Sequence, residues 1–271
     1  IPPLAALRDL EHASWEYEAD NHNNKWLQML VAPGSSLGGA RPKANVRMPD
    51  GSLWIAKFPA RSDRHDVGAW EALTMTLAQR CGITIEDFDV RRLGQTHKTF
   101  LTRRFDRTAT GKRLHFTSAM TMLGYTDGNT EGASYLELAE WISSNCCHVE
   151  DNLQQMWRRL VFNIAVSNAD DHLRNHGFLL TTQGWVLSPA YDLNPQADAV
   201  GLSLNINEKD NTPNYSLALD VAPYFSLSHT AAADIISSVR HTVSLWRNLA
   251  KQFGIPREEQ EYMSNAFNRS L

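Results

Sequence analysis

The stretch Ser167-Asn168-Ala169-Asp170-Asp171-His172-Leu173-Arg174-Asn175, followed by Ser188-Pro189-Ala190-Tyr191-Asp192, decides how this chain folds. It supplies a carboxylate, an amide five residues later and a further carboxylate downstream. Between them, His176-Gly177-Phe178-Leu179-Leu180 and Trp185-Val186-Leu187 read as two short apolar strands around the turn-rich Thr181-Thr182-Gln183-Gly184. A hairpin brings its ends together, so Asn175 and Asp192 are expected to emerge side by side. With Asp170 they form a compact set of hard oxygen donors. Magnesium takes one or two carboxylates and completes its shell with phosphate and water oxygens.

That donor set is what phosphoryl transfer needs. Asp170 would orient the attacking hydroxyl, while Asn175 and Asp192 would hold the metal. The spacing of Asp170 and Asn175 equals the D-x-x-x-x-N of a protein-kinase catalytic loop. Taken singly, each Asp is also a common turn residue; only the joint spacing and the hairpin point to chemistry. His172 is expected to hold the loop by hydrogen bonds. Arg174 would either steer a γ-phosphate or pair with Asp171. His172 and His176 stand at i, i+4 and would share a transition metal on a continuous helix, but the turn chemistry around Gly177 argues against one.

A nucleotide clamp is legible upstream. Pro33-Gly34-Ser35-Ser36-Leu37-Gly38-Gly39-Ala40-Arg41-Pro42-Lys43 is a small-residue loop ending in a cation. Its glycines would let backbone N–H groups approach phosphate oxygens, and Lys43 adds positive charge. It does not match the Walker pattern. Ala44 to Met48 and Ser52 to Phe58 read as strands around the tight turn Pro49-Asp50-Gly51. On the second strand Leu53, Ile55 and Lys57 share one face, and Trp54, Ala56 and Phe58 the other. A lysine among apolar neighbours needs an anion; the phosphates of ATP and the carboxylate of Glu71 are the two candidates. Glu71 stands at the edge of the apolar stripe of a helix expected over His65 to Arg80, and the other reading leaves it solvated. Phe88 to Leu93 and Lys98 to Phe105 read as a second hairpin. Arg103 to Phe105 would lie where adenine meets backbone.

Beyond Gly111 the pattern becomes helical. Ser134 to Ser143 and Val149 to Ser167 read as helices; the latter carries Leu153, Met156, Trp157, Leu160, Val161, Ile164 and Ala165 on its apolar side and would present the catalytic loop at its end. Thr230 to Phe253 reads as one helix and Arg257 to Asn268 as another. Gln196 to Ser228 reads as a long polar connector whose middle, Asn207 to Tyr215, either shapes a substrate site or merely links helices.

Bulk composition fits this picture. The 271 residues are 42% apolar, enough for a real core, with a formal net charge of −4. Interspersed charges give no basic field for direct nucleic-acid binding. No apolar run approaches a membrane span, and no signal-peptide pattern opens the sequence. Three cysteines, Cys81 and the adjacent Cys146 and Cys147, suit a reducing cytoplasm better than a disulfide scaffold.

Five segments taken together resemble the HipA family, bacterial serine/threonine kinase toxins of type II toxin–antitoxin systems. They are Ser36 to Lys43, Trp54 to Phe58, Arg103 to Arg107, Asn168 to Asn175 and Leu187 to Asp192. The resemblance implies an α+β, bilobal protein-kinase-like fold. A small β-rich N-lobe would span residues 1–107 and a larger, mainly helical C-lobe residues 108–271. It places Asp170 as base, Asn175 and Asp192 on Mg2+, and Lys57 on ATP. Ser36, Leu37, Gly38, Gly39, Ala40, Lys43, Glu71, Arg103, Phe105, His172 and Arg174 fall in the nucleotide-binding set. Ser36 stands at the autophosphorylated loop position, with Ser35 adjacent; a phosphate there adds nearly two negative charges where those of the nucleotide belong. The resemblance further implies a protein substrate such as an aminoacyl-tRNA synthetase, a helix-turn-helix antitoxin, DNA reached only through it, and no membrane. Family members carry a subdomain before the glycine loop that is longer than the stretch present here, so a short form or a fragment is expected. Other readings are an inactive kinase-like subunit that binds an antitoxin and assists repression, and a small-molecule phosphotransferase.

Overall fold

In the β-rich part of the chain, period-two alternation and a glycine turn set the register of the first strands. The computed structural model describes residues 1–19, 41–108 and 110–268; the loop residues Ser35, Ser36, Leu37, Gly38, Gly39 and Ala40 lie outside them. Strands β1 (Lys43–Arg47) and β2 (Leu53–Lys57) pair antiparallel around a turn in which Gly51 takes φ +85°, a conformation that suits glycine. With β3 (Phe88–Arg91) and β4 (Thr99–Arg103) they form a sheet ordered β1-β2-β4-β3. Ala56 lies across from Ala44 on one side and Leu101 on the other.

One face of this sheet is closed by a helix that the sequence reading did not include, α1 (Leu7–Glu18). Leu7 and Leu10 pack with Ala44, Val46, Ala56, Phe58 and Leu101 in one buried cluster. The leucine, valine and phenylalanine side chains among them each contribute roughly 1.5–3 kcal/mol on burial. Glu11 of α1 is also buried, and its carboxylate accepts from the Gly94 and Gln95 amides at 2.9 and 3.1 Å and from the Thr99 hydroxyl. It thereby pins the β3–β4 turn.

Helix α2 (Val67–Arg80) starts behind Asp66, whose Oδ1 accepts from the Ala69 and Lys98 amides. Gly68 lets the helix approach the sheet: a Cβ there would lie 2.2 Å from the Lys98 carbonyl oxygen. The chain divides into two compact units, Ile1–Ala72 with Glu86–Arg113 and Leu73–Ile85 with Leu114–Leu271. The division falls within α2.

The second unit is mainly helical, with a three-stranded sheet of β5 (His115–Ser118), β6 (Gly177–Thr181) and β7 (Gly184–Leu187) ordered β5-β6-β7. A short turn of helix, α3 (Ala119–Met122), follows β5. Helix α4 (Tyr135–Asn145) begins with a capping box in which Ser134 and Glu137 satisfy each other's amides. Helix α5 (Val149–Val166) is the axis of the unit, with Trp157, Leu160, Val161 and Ile164 buried.

The long connector carries α6 (Tyr215–Val221) and a 3-10 turn, Ala222–Phe225, rather than turns alone. Thr230 to Phe253 is two helices, not one: α7 (His229–Ser244) ends at Leu245, and α8 (Trp246–Gln252) follows. The break lets Trp246 stack on Phe267 of α9 (Arg257–Asn268) at 4.6 Å between ring centroids. Among the described residues no helix is long and apolar enough to cross a membrane. The three cysteines are free, and burial pushes the Cys81 and Cys146 thiols up to about 11 and 12, so both stay protonated at neutral pH.

Candidate active site

In the first unit, alternation along β2 turns Lys57 away from the Ala56–Phe58 core face. Its ammonium meets Glu71 of α2 at 2.6 Å, with the side chains 12% and 3% exposed. The carboxylate is thus buried as a partner of Lys57, not solvated. Lys43 opens β1 directly opposite Lys57. Arg103 ends β4, takes the Asp87 carbonyl with its amide at 2.8 Å, and lies 3.5 Å from the exposed Asp87 carboxylate. Phe105 follows it in the half-buried turn to Asp106. Arg104 donates to Asp106 through two nitrogens at 2.8 and 2.6 Å, Arg107 adds a third bond, and Arg104 Nη1 reaches Asn45 Oδ1 at 2.7 Å. Burial alone would raise the Asp106 carboxyl, but the two guanidiniums outweigh it and hold it below the usual carboxylate range.

In the second unit the residue that turns the chain out of α5 is Ser167, left-handed at φ +50°. Its hydroxyl donates to the Ala266 carbonyl at 2.7 Å. The loop that follows separates two adjacent carboxylates. Asp171 is buried: the Tyr135 hydroxyl donates to its Oδ2, and His176 Nε2 lies 2.8 Å from its Oδ1. Asn163 donates to the Tyr135 oxygen at 3.0 Å, and Asn168 donates to Asn163 Oδ1 at the same distance. Asp170 is 65% exposed, with its backbone carbonyl accepting from Asn175 Nδ2 at 2.8 Å. The loop is therefore fixed mainly through Asp171. His172 contributes backbone bonds, and its Nε2 lies 3.9 Å from Asp170 Oδ1.

Arg174 does not pair with Asp171. It reaches Asp127 Oδ1 at 2.6 Å, because Asp171 is already committed inward to Tyr135 and His176. His172 and His176 flank a 3-10 turn, Leu173–Asn175, and both have extended backbones, so they share no helix face.

Two hydrogen bonds beyond the strand pairing tie the segment bearing Asp192 to the residues around Asn175. Strands β6 and β7 pair in the register Phe178↔Leu187. The Ser188 amide donates to the Gly177 carbonyl at 2.9 Å, and the Tyr191 hydroxyl to the Arg174 carbonyl at 2.7 Å. The segment bearing Asp192 is thus tied to the residue next to Asn175. Asp192 itself is left-handed at φ +59°, and its Oδ1 accepts from Asn194 at 3.2 Å. With Asn175 Nδ2 spent on Asp170, the Asn175 side-chain oxygen is left for a ligand. One amide oxygen and one carboxylate fit a hard divalent cation that draws its other ligands from phosphates and water. Among the described residues no group of three or more His, Cys, Asp or Glu could hold a metal alone.

Three positioning residues were not singled out in the sequence. Asn152, Arg159 and Asn163 form a buried polar stripe along α5. Asn152 Oδ1 accepts the Leu187 amide at 2.8 Å, and Arg159 Nη2 donates to the Ser188 carbonyl. Burial pushes the Arg159 guanidinium down to about 10, still cationic at neutral pH. Burial likewise raises the neighbouring Tyr191 phenol, keeping it a donor. The available signal was polar residues at steps of seven and four on a helix otherwise apolar on that side.

An antiparallel sheet carrying a lysine paired to a helical glutamate, with a helical unit bearing an Asp–Asn loop and a hairpin-linked Asp, defines the protein-kinase-like α+β class. Its family follows from the sequence match: the HipA-like C-terminal domain matches residues 35–246, and the chain belongs to that family. The serine/threonine-protein kinase toxin HipA of Shewanella oneidensis MR-1 is 26% identical over 188 residues, 59% of this chain and 43% of the relative's length. The solved complex of HipA, HipB and operator DNA from Shewanella oneidensis MR-1 matches with a TM-score of 0.64 at 20% identity. That match covers 87% of this chain and 63% of the other. The proinflammatory kinase CtkA of Helicobacter pylori matches with a TM-score of 0.53 at 13% identity over 84% of this chain and 93% of that one. Both structural likenesses bear on the fold.

Proposed function

We propose that the chain is an ATP- and Mg2+-dependent protein serine/threonine kinase. The observation that carries this reading is the division of labour between neighbouring acids. Asp171 is consumed in packing the loop, which leaves Asp170 exposed on a backbone fixed by Asn175. Asp170 would accept the proton of a Ser or Thr hydroxyl and orient its oxygen. Asn175 and Asp192 would hold the metal, and Lys57, set by Glu71, would bind nucleotide phosphates. Bound there, magnesium-ATP would supply the phosphoryl group, with ADP as the leaving group and the metal offsetting the phosphate charge. Catalysis of this kind is mostly positioning and charge stabilisation.

The nucleotide set also includes Ser36 to Ala40, Lys43, Arg103 and Phe105, with Ser36 as the autophosphorylated residue. The resemblance to HipA supports a translation component, such as an aminoacyl-tRNA synthetase, as target. The relative solved with HipB and operator DNA supports an antitoxin partner through which DNA is reached. The test is incubation with labelled ATP and magnesium. Label on Ser36 that vanishes in Asp170→Gln is the expected result; ATP binding without transfer to any residue or added protein overturns the proposal.

A further inference from the structure

A hollow of about 250 Å3 lies beside the catalytic loop. It falls below the roughly 300–1,000 Å3 of sites that take a whole small ligand, so it is sized for a side chain and not for a nucleotide. Asp127, Thr130, His172, Arg174 and Ser203 line it over an apolar floor. It borders the residue read as the base: His172 Nε2 is 3.9 Å from Asp170 Oδ1, and the Ser203 hydroxyl donates to the Ala169 carbonyl at 2.7 Å.

Its arginine has donors to spare. Arg174 gives Nη1 to Asp127, leaving Nε and Nη2 with no protein partner among the described residues. His172 Nδ1 is buried and has none either. The Arg174 and Asp127 side chains are 46% and 76% exposed. An ion pair that open to water stabilises little and exchanges readily, whereas a guanidinium can take a carboxylate through two parallel bonds.

We propose that this hollow is the acceptor-side subsite of the kinase reading above, on which the proposal rests. It takes an acidic side chain of the protein substrate, whose carboxylate replaces Asp127 on Arg174. Extended chain advances about 3.3 Å per residue, so the recognised Asp or Glu stands within about three residues of the phosphorylated hydroxyl.

The test uses peptides with one central Ser in an alanine background and Glu, Gln or Lys at each flanking position. Binding to the whole chain is read by fluorescence anisotropy and phosphorylation by KM and kcat. A Glu peptide is expected to bind about tenfold tighter than its Gln counterpart, the scale of one charge-assisted contact. Arg174→Gln should erase that preference in the anisotropy titration run without nucleotide, and Asp127→Asn, which removes the internal competitor, should sharpen it. Equal binding of Glu, Gln and Lys peptides, or a preference that survives in Arg174→Gln, overturns the subsite even if the enzyme is active. Charge-ranked binding that depends on Arg174, without transfer to any peptide, upholds the subsite and overturns the kinase reading instead.

Discussion

Asp170 and Asp171 are neighbours in sequence and opposites in environment, 65% and 2% exposed at the side chain. Removing each charge should therefore separate activity from stability. Asp171→Asn strips the Tyr135 and His176 contacts of their anion and is expected to cost about 1–3 kcal/mol, read as a lower urea midpoint at unchanged slope. Asp170→Asn touches only exposed surface and is expected to stay within about 0.5 kcal/mol of the parent while phosphoryl transfer falls at least about 100-fold. Which of two adjacent acids turns inward was not legible, because the deciding partner, Tyr135, lies in a different helix. The D-x-x-x-x-N spacing singled out Asp170 and Asn175, which one hydrogen bond joins, and the two-residue repeat put Lys57 on the face opposite Ala56 and Phe58, where it meets Glu71. The same lack of long-range information left Arg174 between two partners, and the structure supplied a third, Asp127.

At the scale of elements, the encounter of α2 with its sheet depends on one absent side chain. Gly68 faces the Lys98 carbonyl at a distance no Cβ tolerates, and Glu71 lies one turn further along the same helix. Gly68→Ala is expected to lose about 2 kcal/mol or more despite alanine's better helix propensity. It should also draw Glu71 away from Lys57; a thermal melt matching the parent, with unchanged nucleotide affinity, would contradict this. Strands and long helices were legible because period two and period 3.6 stand out over a few turns. Helix α1 was not read, although Leu7, Leu10 and Ala13 recur at three-residue steps, since the stripe is short and the charged Arg8, Asp9 and Glu11 stand between its members. The break at Leu245 carries no glycine or proline, so nothing local announces it. The polar stripe of α5 was masked by the strength of its apolar side.

For the molecule as a whole, acid stability should be governed in part by Asp106, held between Arg104 and Arg107 in the first unit. Its carboxyl lies below the ordinary aspartate value of 3.8 when folded. The unfolded chain therefore binds a proton first as pH falls, and the stabilisation, complete above about pH 4, is lost through the folded value. Asp106→Asn should lower stability at neutral pH and flatten the acid limb of the stability curve, measured by urea unfolding between about pH 2 and 6. Asp192 carries a different molecular consequence. A residue other than glycine held at positive φ stores on the order of 1 kcal/mol, so the protein is less robust than its core would allow, and the deficit sits at the residue proposed to hold the metal. Asp192→Gly should melt higher than Asp192→Ala, while neither binds nucleotide in a magnesium-dependent way. Under the proposed function, durability is surrendered at one peptide unit so that a carboxylate can face a cation.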